Sequence, residues 1–333
     1  MRGRVGASTM KSFVFILLLA SASAATPPAS AESFPARAVT IVAPYGPGGT
    51  TDILARLVAE GMRGALGAPV LVENVAGASG TIGVGRVARA APDGYTLSYG
   101  IWSTHVVNPA IYALNFDPVK DFEPIALLAT SPQVIVSSNA VPAKDLRGLV
   151  AWLKAEGNHA KLSTVGPGSP PHMAGIFLQQ LTDTRVQFVP YRGGAPAMQD
   201  LLGGQVDLTI LQPAVVLPHV RAGQVRAYAV TAGTRLTTAP EIPSVDEAGV
   251  PGLYVSTWSS LWAPKGTPKD VVMRLNAAVT EALGDPAVRQ RLTEIGQEVP
   301  PREQQSPEAL AALQAAEIAK WWPIIKAANI KVE

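Results

Sequence analysis

Two α/β lobes joined by strands that cross between them are what this sequence predicts, on three observations. A chain of 333 residues is too long for one ordinary domain and suits two lobes of roughly 120–150 residues each. Short β-branched runs alternate with apolar residues at helical spacing, the pattern of α/β units with mainly parallel strands. No Pro/Ser-rich linker divides the chain, so crossing strands explain its length better than beads on a string.

Residues 1–31 read as a signal peptide. Arg2, Arg4 and Lys11 form a basic start, 13–20 (FVFILLLA) is a short apolar core, and Ala-x-Ala patterns at 22–24 and 29–31 offer cleavage after 24 or after 31. The apolar core is far short of the ~20 residues a spanning helix needs. The product expected is a soluble periplasmic protein.

The first strand is 39–43 (VTIVA), ending in a Pro/Gly-rich turn, and 52–63 repeats apolar residues at helical spacing. Strands follow at 70–73 and 96–99, with a helix starting near Thr81 between them. Residues 125–136 read as one long strand crossing between lobes, interrupted only by Ser131-Pro132. A second series has strands at 161–165, 186–189, 208–211 and 226–230, and helices at 146–155, 171–181 and 195–202. The extended, aromatic-rich 254–263 carries the chain back. Lobe one is therefore 32–131 plus 255–333, and lobe two 132–254. Thr267-Pro268 and Asp285-Pro286 each place a capping residue before a proline at a helix start. Ser306-Pro307 opens the last helix, which Trp322-Pro323 should kink or end.

Composition narrows the function. Hydrophobic residues make up 47% and charged residues 16%, below the roughly 25% of an average domain, so a sizeable core forms. Net charge is only +2 with no basic stripe, which argues against a nucleic-acid partner. With no cysteine, and with His105, His159, His172 and His219 at no metal-ligand spacing, neither a metal nor a cofactor is expected. Walker A, Gly-x-Gly-x-x-Gly and Gly-x-Ser-x-Gly signatures are missing. The sharpest enzymatic rival is a secreted hydrolase using Ser169 and His172; no nucleophile–base pair is recognisable, and the reading is not an enzyme.

One pattern occurs twice. Pro44-Tyr45-Gly46-Pro47-Gly48-Gly49-Thr50-Thr51-Asp52 follows the first strand and opens a helix, as Pro190-Tyr191-Arg192-Gly193-Gly194-Ala195-Pro196 does in the second series. Glycines let the backbone approach closely, and a helix start presents unpaired N–H groups at the positive end of its dipole. Such a turn binds an anion without a charged side chain, and both lie at the carboxyl ends of strands, where open α/β sheets bind ligands. Flanking turns add Ala78 and Ser79, Ser103 and Thr104, and Ser169 and His172. Asp207 starts a strand and either faces the cleft or serves a turn. Asp52, in the first helical turn, either meets a ligand or caps. Trp102, Trp258 and Trp262 line the cleft or fill the core. A few charge-assisted bonds at ~1.5–3 kcal/mol each suffice for the ~8 kcal/mol of micromolar binding.

These segments resemble the substrate-binding receptors of tripartite tricarboxylate transporters, the Bug receptors. The resemblance runs from Phe34 to Glu333 and rests on 41–52 (IVAPYGPGGTTD), 73–83, 92–96 (PDGYT), 189–207 (VPYRGGAPAMQDLLGGQVD), 242–249 (IPSVDEAG) and 258–268 (WSSLWAPKGTP). It implies a type II periplasmic-binding-protein fold, with a ligand cleft between lobes that close on a small organic carboxylate. The family's binding loops fall on 45–51 and 191–194, with 77–81, 103–105 and 166–169 contributing. Arg192 stands where the family usually has Lys. The implied partners are the carboxylate and the integral-membrane transporter subunits that receive it from a monomeric receptor. A ligand sensor for a receptor kinase shares the fold and is the alternative.

Overall fold

The computed structural model describes residues 34–330, so the leader lies outside the described residues. A first sheet begins with β1 (Val39–Ala43), β2 (Val70–Asn74), β3 (Thr96–Ile101) and β4 (Phe122–Pro132). The chain then builds a second from β5 (Val134–Ser138), β6 (Lys161–Thr164), β7 (Gln187–Pro190), β8 (Leu208–Leu211) and β9 (Val225–Val230), and returns to the first as β10 (Ser256–Pro264). The strand orders are β2-β1-β3-β10-β4 and β7-β6-β8-β5-β9. Parallel ladders join β1 to β2 and β3, and β6 to β7 and β8; β10 and β5 pair antiparallel to their neighbours. This is the two-lobed α/β architecture the alternating pattern predicts.

Helices α1 (Thr50–Leu66), α2 (Thr81–Ala88) and the one-turn α3 (Asn108–Ile111) follow strands of the first sheet. Helices α4 (Leu146–Glu156), α5 (Pro170–Thr182), α6 (Gly194–Leu202) and α7 (Pro213–Arg221) belong to the second, and α8 (Lys269–Gly284), α9 (Pro286–Glu294) and α10 (Pro307–Ala327) follow β10. The apolar runs of the inner strands β1, β3, β6 and β8 are buried, as sheets covered by helices on both faces require, while the edge strands β2 and β7 stay partly exposed. Ile41, Leu97 and Ile125 meet Leu54, Val58 and Met62 of α1 and Leu275 and Val279 of α8 in one core. Another core continues from Val42, Trp102 and Val106 of lobe one to Leu162, Met173 and Tyr228 of lobe two, through Leu310 and Trp321 of α10.

Three details differ from the sequence reading. The run 125–136 is two strands in two sheets, broken at Gln133: its amide takes the Thr231 hydroxyl (2.9 Å) instead of a ladder carbonyl. Thr231 in turn donates its amide to Gln133 O (2.8 Å) and its hydroxyl to Val255 O (2.7 Å), while Val255 N donates to Thr231 O (3.0 Å). Both crossings are thus tied at one buried threonine. At α8 the Thr267 hydroxyl donates to Pro264 O (2.7 Å), and Pro268 is itself the cap position, so the helix starts at Lys269. Helix α10 runs through Pro323 to Ala327; buried Trp321 and Ile325 on either side hold it in register and offset the lost hydrogen bond. Asp285 and Ser306 cap α9 and α10 as expected, accepting from Ala287 N and Ala309 N.

Candidate functional site

The turn after β1 is braced by its own helix. Asp52 accepts from Gly48 N (2.9 Å), Arg56 Nε (2.9 Å) and Asn74 Nδ2 (3.0 Å), and Asn74 also donates to Tyr45 O (3.0 Å). The Arg56 hydrogen bond, against the cost of burial, holds the Asp52 carboxyl below the usual carboxylate range. Asp52 is therefore occupied internally. Gly48 has φ +84°, which glycine alone adopts cheaply. The cap position of α1, Gly49, has no side chain to satisfy the first turn. The amides of Thr50 and Thr51 consequently have no intrahelical partner and carry the positive end of the dipole.

The neighbouring turns pack against this one. A Cβ on Gly80 would sit 2.9 Å from Thr104 and 3.1 Å from Pro44, so the bend at 77–80 lies directly on the first turn. Ala78 and Ser79 hold left-handed φ values of 45° and 53°, an uncommon conformation that needs outside support. Support comes at the Ser79 carbonyl, which accepts from Tyr45 Oη (3.0 Å) and Asn108 Nδ2 (2.9 Å), and at its hydroxyl, 2.8 Å from Tyr112 Oη. Burial pushes the Tyr45 phenol up. After β3 a single π turn spans Ser103–Val107. It leaves Ser103 facing outward, 3.5 Å from Tyr45 Oη, while buried Thr104 is engaged by Ile101 and His105.

In the second lobe the turn at 166–169 closes on itself. Ser169 donates its amide (3.2 Å) and hydroxyl (2.6 Å) to Gly166 O, and Gly168 N donates to His172 Nδ1 (3.1 Å). Burial lowers the His172 pKa, so the ring is neutral and accepts at Nδ1. It edges onto Phe188, with ring centroids 4.7 Å apart. Tyr191 N donates to Thr164 O (2.8 Å), and the Tyr191 phenol donates to Asp200 (2.7 Å); burial and that carboxylate push it up to about 12. Gly193 caps α6 with no side chain, so Gly194 and Ala195 start the helix with unpaired amides, and Arg192 is exposed.

A cavity of ≈ 340 Å³ lies between the lobes. Of the residues singled out by sequence, Tyr45, Thr50, Thr51, Ser79 and Ser103 line it from lobe one and Ser169 from lobe two. Gly46, Gly48, Gly49 and Ala78 are exposed in the turns beside the cavity without lining it, and only Thr104 is buried behind it. Tyr191, Arg192, Gly193 and Gly194 are not part of it: the cavity's second-lobe wall is Val165, the 167–170 turn and Gln212. His172 opens instead on a separate groove with Gln179 and Arg185. Asp207 accepts from Lys161 N (2.7 Å) at the start of β6, the opposite strand end from the cavity, and serves the turn there. Ser169 and His172 thus share no hydrogen bond, and the hydrolase constellation is not assembled.

Trp102 and Trp258 both pack the core and line the cavity, whereas Trp262 stacks on His105 at 4.7 Å. Sequence reasoning missed Asn108, Tyr112, Gln212, Thr257, Ser259 and Gln297, all of which line it. Among the described residues, no charged side chain lines the cavity. Chemically it offers hydroxyls and carboxamides, beside an uncapped helix start, against an apolar wall.

The description "Tripartite tricarboxylate transporter family receptor" matches residues 54–330. The chain belongs to this family. Its receptors bind solutes in the periplasm and are not enzymes, and that is the class of this protein. Similar solved structures include MatC of Rhodopseudomonas palustris with bound malate, 40% identical with a TM-score of 0.74 over 88% of this chain and 100% of that one. The periplasmic binding protein BugD is 38% identical (TM-score 0.73, 90% of this chain and 100% of that one). Another R. palustris protein, with adipate, is 33% identical (TM-score 0.76, 90% and 100%). These receptors share the two-lobed periplasmic-binding fold. Among the described residues no helix is long and apolar enough to cross a membrane.

Proposed function

We propose that this receptor captures a small organic carboxylate between lobe one (32–131 plus 255–333) and lobe two (132–254), and hands it, as a monomer, to integral-membrane subunits of a tripartite tricarboxylate-type transporter. The observation that carries this reading is the uncapped start of α1, where the Thr50 and Thr51 amides meet an interlobe cavity free of charged side chains. Tyr45, Gly46, Gly48 and Gly49 shape that turn, Ala78, Ser79, Ser103 and Thr104 support it, and Ser169 faces it across the cavity. Closure of the lobes brings Tyr191, Arg192, Gly193 and Gly194, the second uncapped helix start, towards the same anion. His172 acts by holding the 166–169 turn, and Asp207 by fixing the far end of β6. The bound malate and adipate of the R. palustris relatives agree with a carboxylate ligand.

Calorimetry of the mature protein against a carboxylate panel and the matching amides tests this. Carboxylates should bind at micromolar affinity or better and their neutral amides at least 10-fold more weakly, since the dipole and amides act on charge. Equal binding of acid and amide, or no binding by any acid, defeats the proposal.

A further inference from the structure

The two walls of the cavity differ in their unspent hydrogen-bond donors. On the lobe-one side the Thr50 and Thr51 amides lack intrahelical partners. Trp258 also lines the cavity, but its unpartnered indole N–H is sealed from it and offers a ligand no donor in this arrangement.

On the lobe-two side every donor of the 167–170 turn is spent or missing. Pro167 and Pro170 have no N–H, Gly168 N goes to His172 and Ser169 N to Gly166. The Ser169 hydroxyl also goes to Gly166 O, and Gln212 Nε2 reaches Thr257 Oγ1 at 3.4 Å. Helix α5, whose start faces the cavity, opens with two prolines and so presents no amide at its first two positions. Helix α7, which Gln212 caps, opens with Pro213. The rest of that wall is Val165 and proline rings, facing Ile101, Trp102 and Ile111.

From this asymmetry we infer that the ligand is a monocarboxylate with an apolar body, its carboxylate at the α1 start and its body against the lobe-two wall. The inference rests on the carboxylate reading above and deepens it. A second carboxylate at the lobe-two wall would find no free backbone amide of the 167–170 turn and only the Gln212 carboxamide to replace its hydration, too little to offset a cost far above that of burying methylenes. The volume of ≈ 340 Å³ accommodates a six-carbon chain or a single aromatic ring.

Hexanoate and adipate have the same length and differ only at one end, so titrating both into the full mature protein isolates that end. Hexanoate should bind at least 10-fold tighter than adipate. Pro170→Ala, which returns an amide to the wall without touching lobe one, should narrow that ratio several-fold. Adipate binding as tightly as hexanoate or tighter overturns the inference while leaving the carboxylate reading intact, and would mean that the 191–194 turn supplies a second anion site on closure. Failure of both acids, and of aromatic acids such as phenylacetate, removes both proposals together.

Discussion

Asp52 and His105 show how single buried polar groups serve the site without entering it. The Asp52 carboxylate ties Gly48, Arg56 and Asn74 into one brace, and charged hydrogen bonds of this kind contribute ~1.5–3 kcal/mol each. Asp52→Ala should lower unfolding stability by about 2–3 kcal/mol and weaken carboxylate binding, both readable by urea titration with and without ligand. His105 is fully buried behind the cavity with Nε2 unpaired, and burial lowers its pKa to about 3. The folded state holds it neutral while the unfolded chain protonates near 6.5, so its contribution is intact above pH 6.5 and shrinks as pH falls towards the folded value. Between pH 6.5 and 5 the loss is about 2 kcal/mol, at 1.36 kcal/mol per unit. Urea unfolding at pH 7 and pH 5 should show it, and His105→Gln should flatten the difference. An unchanged difference in the variant would assign the acid sensitivity elsewhere. Of the two sequence readings of Asp52, ligand contact or cap, the structure agrees with the second, whereas the surroundings of His105 come from residues far apart in the chain and were not legible.

At the scale of the element, glycine-rich turns were the most legible part of the chain, because glycine and proline act on the backbone where they stand. The strand–turn–helix units at 43–50 and 190–194 and the caps at Asp285 and Ser306 follow from local chemistry. Gln212, Gln297, Asn108 and Tyr112 were invisible because three separate stretches, α3 with its end, the start of α7 and the segment after α9, bring them to one cavity, and no periodicity encodes that. The break at Gln133 was hidden for a similar reason: its partner, Thr231, is 98 residues away. Helix α2 offers a test of how tightly these elements fit. A Cβ on Gly83 would meet Val75 O at 2.7 Å and Pro44 Cα at 3.2 Å. Both are backbone atoms that cannot step aside, so Gly83→Ala should cost about 1–3 kcal/mol by thermal or urea unfolding. A neutral substitution would show that α2 is free to shift away from the first turn.

Across the whole molecule, two facts govern how a ligand is taken up. Both chain crossings meet at Thr231, whose hydroxyl serves Gln133 and Val255, while the core shared through α10 stitches the lobes on one side. If the lobes close on a ligand as proposed, the hinge expected is at 133, 231 and 255, where the chain crosses. Thr231→Val keeps the volume and deletes the hydroxyl. It should destabilise by about 1–3 kcal/mol through the unpaired Gln133 amide and broaden the interlobe distance distribution seen by paired spin labels.

The central claim, that unpaired amides at the start of α1 hold the anion, has a direct test in Thr50→Pro. Gly49 is already extended (φ −82°, ψ 169°), as a residue before proline must be, and the first helical position tolerates proline. The substitution removes one N–H and leaves the fold in place; Thr50→Ala controls for the lost side chain. Calorimetry with the tightest-binding carboxylate should show affinity falling roughly 10- to 100-fold in Thr50→Pro, little change in Thr50→Ala, and unliganded melting temperatures alike. Full affinity in a folded Thr50→Pro protein would contradict the claim.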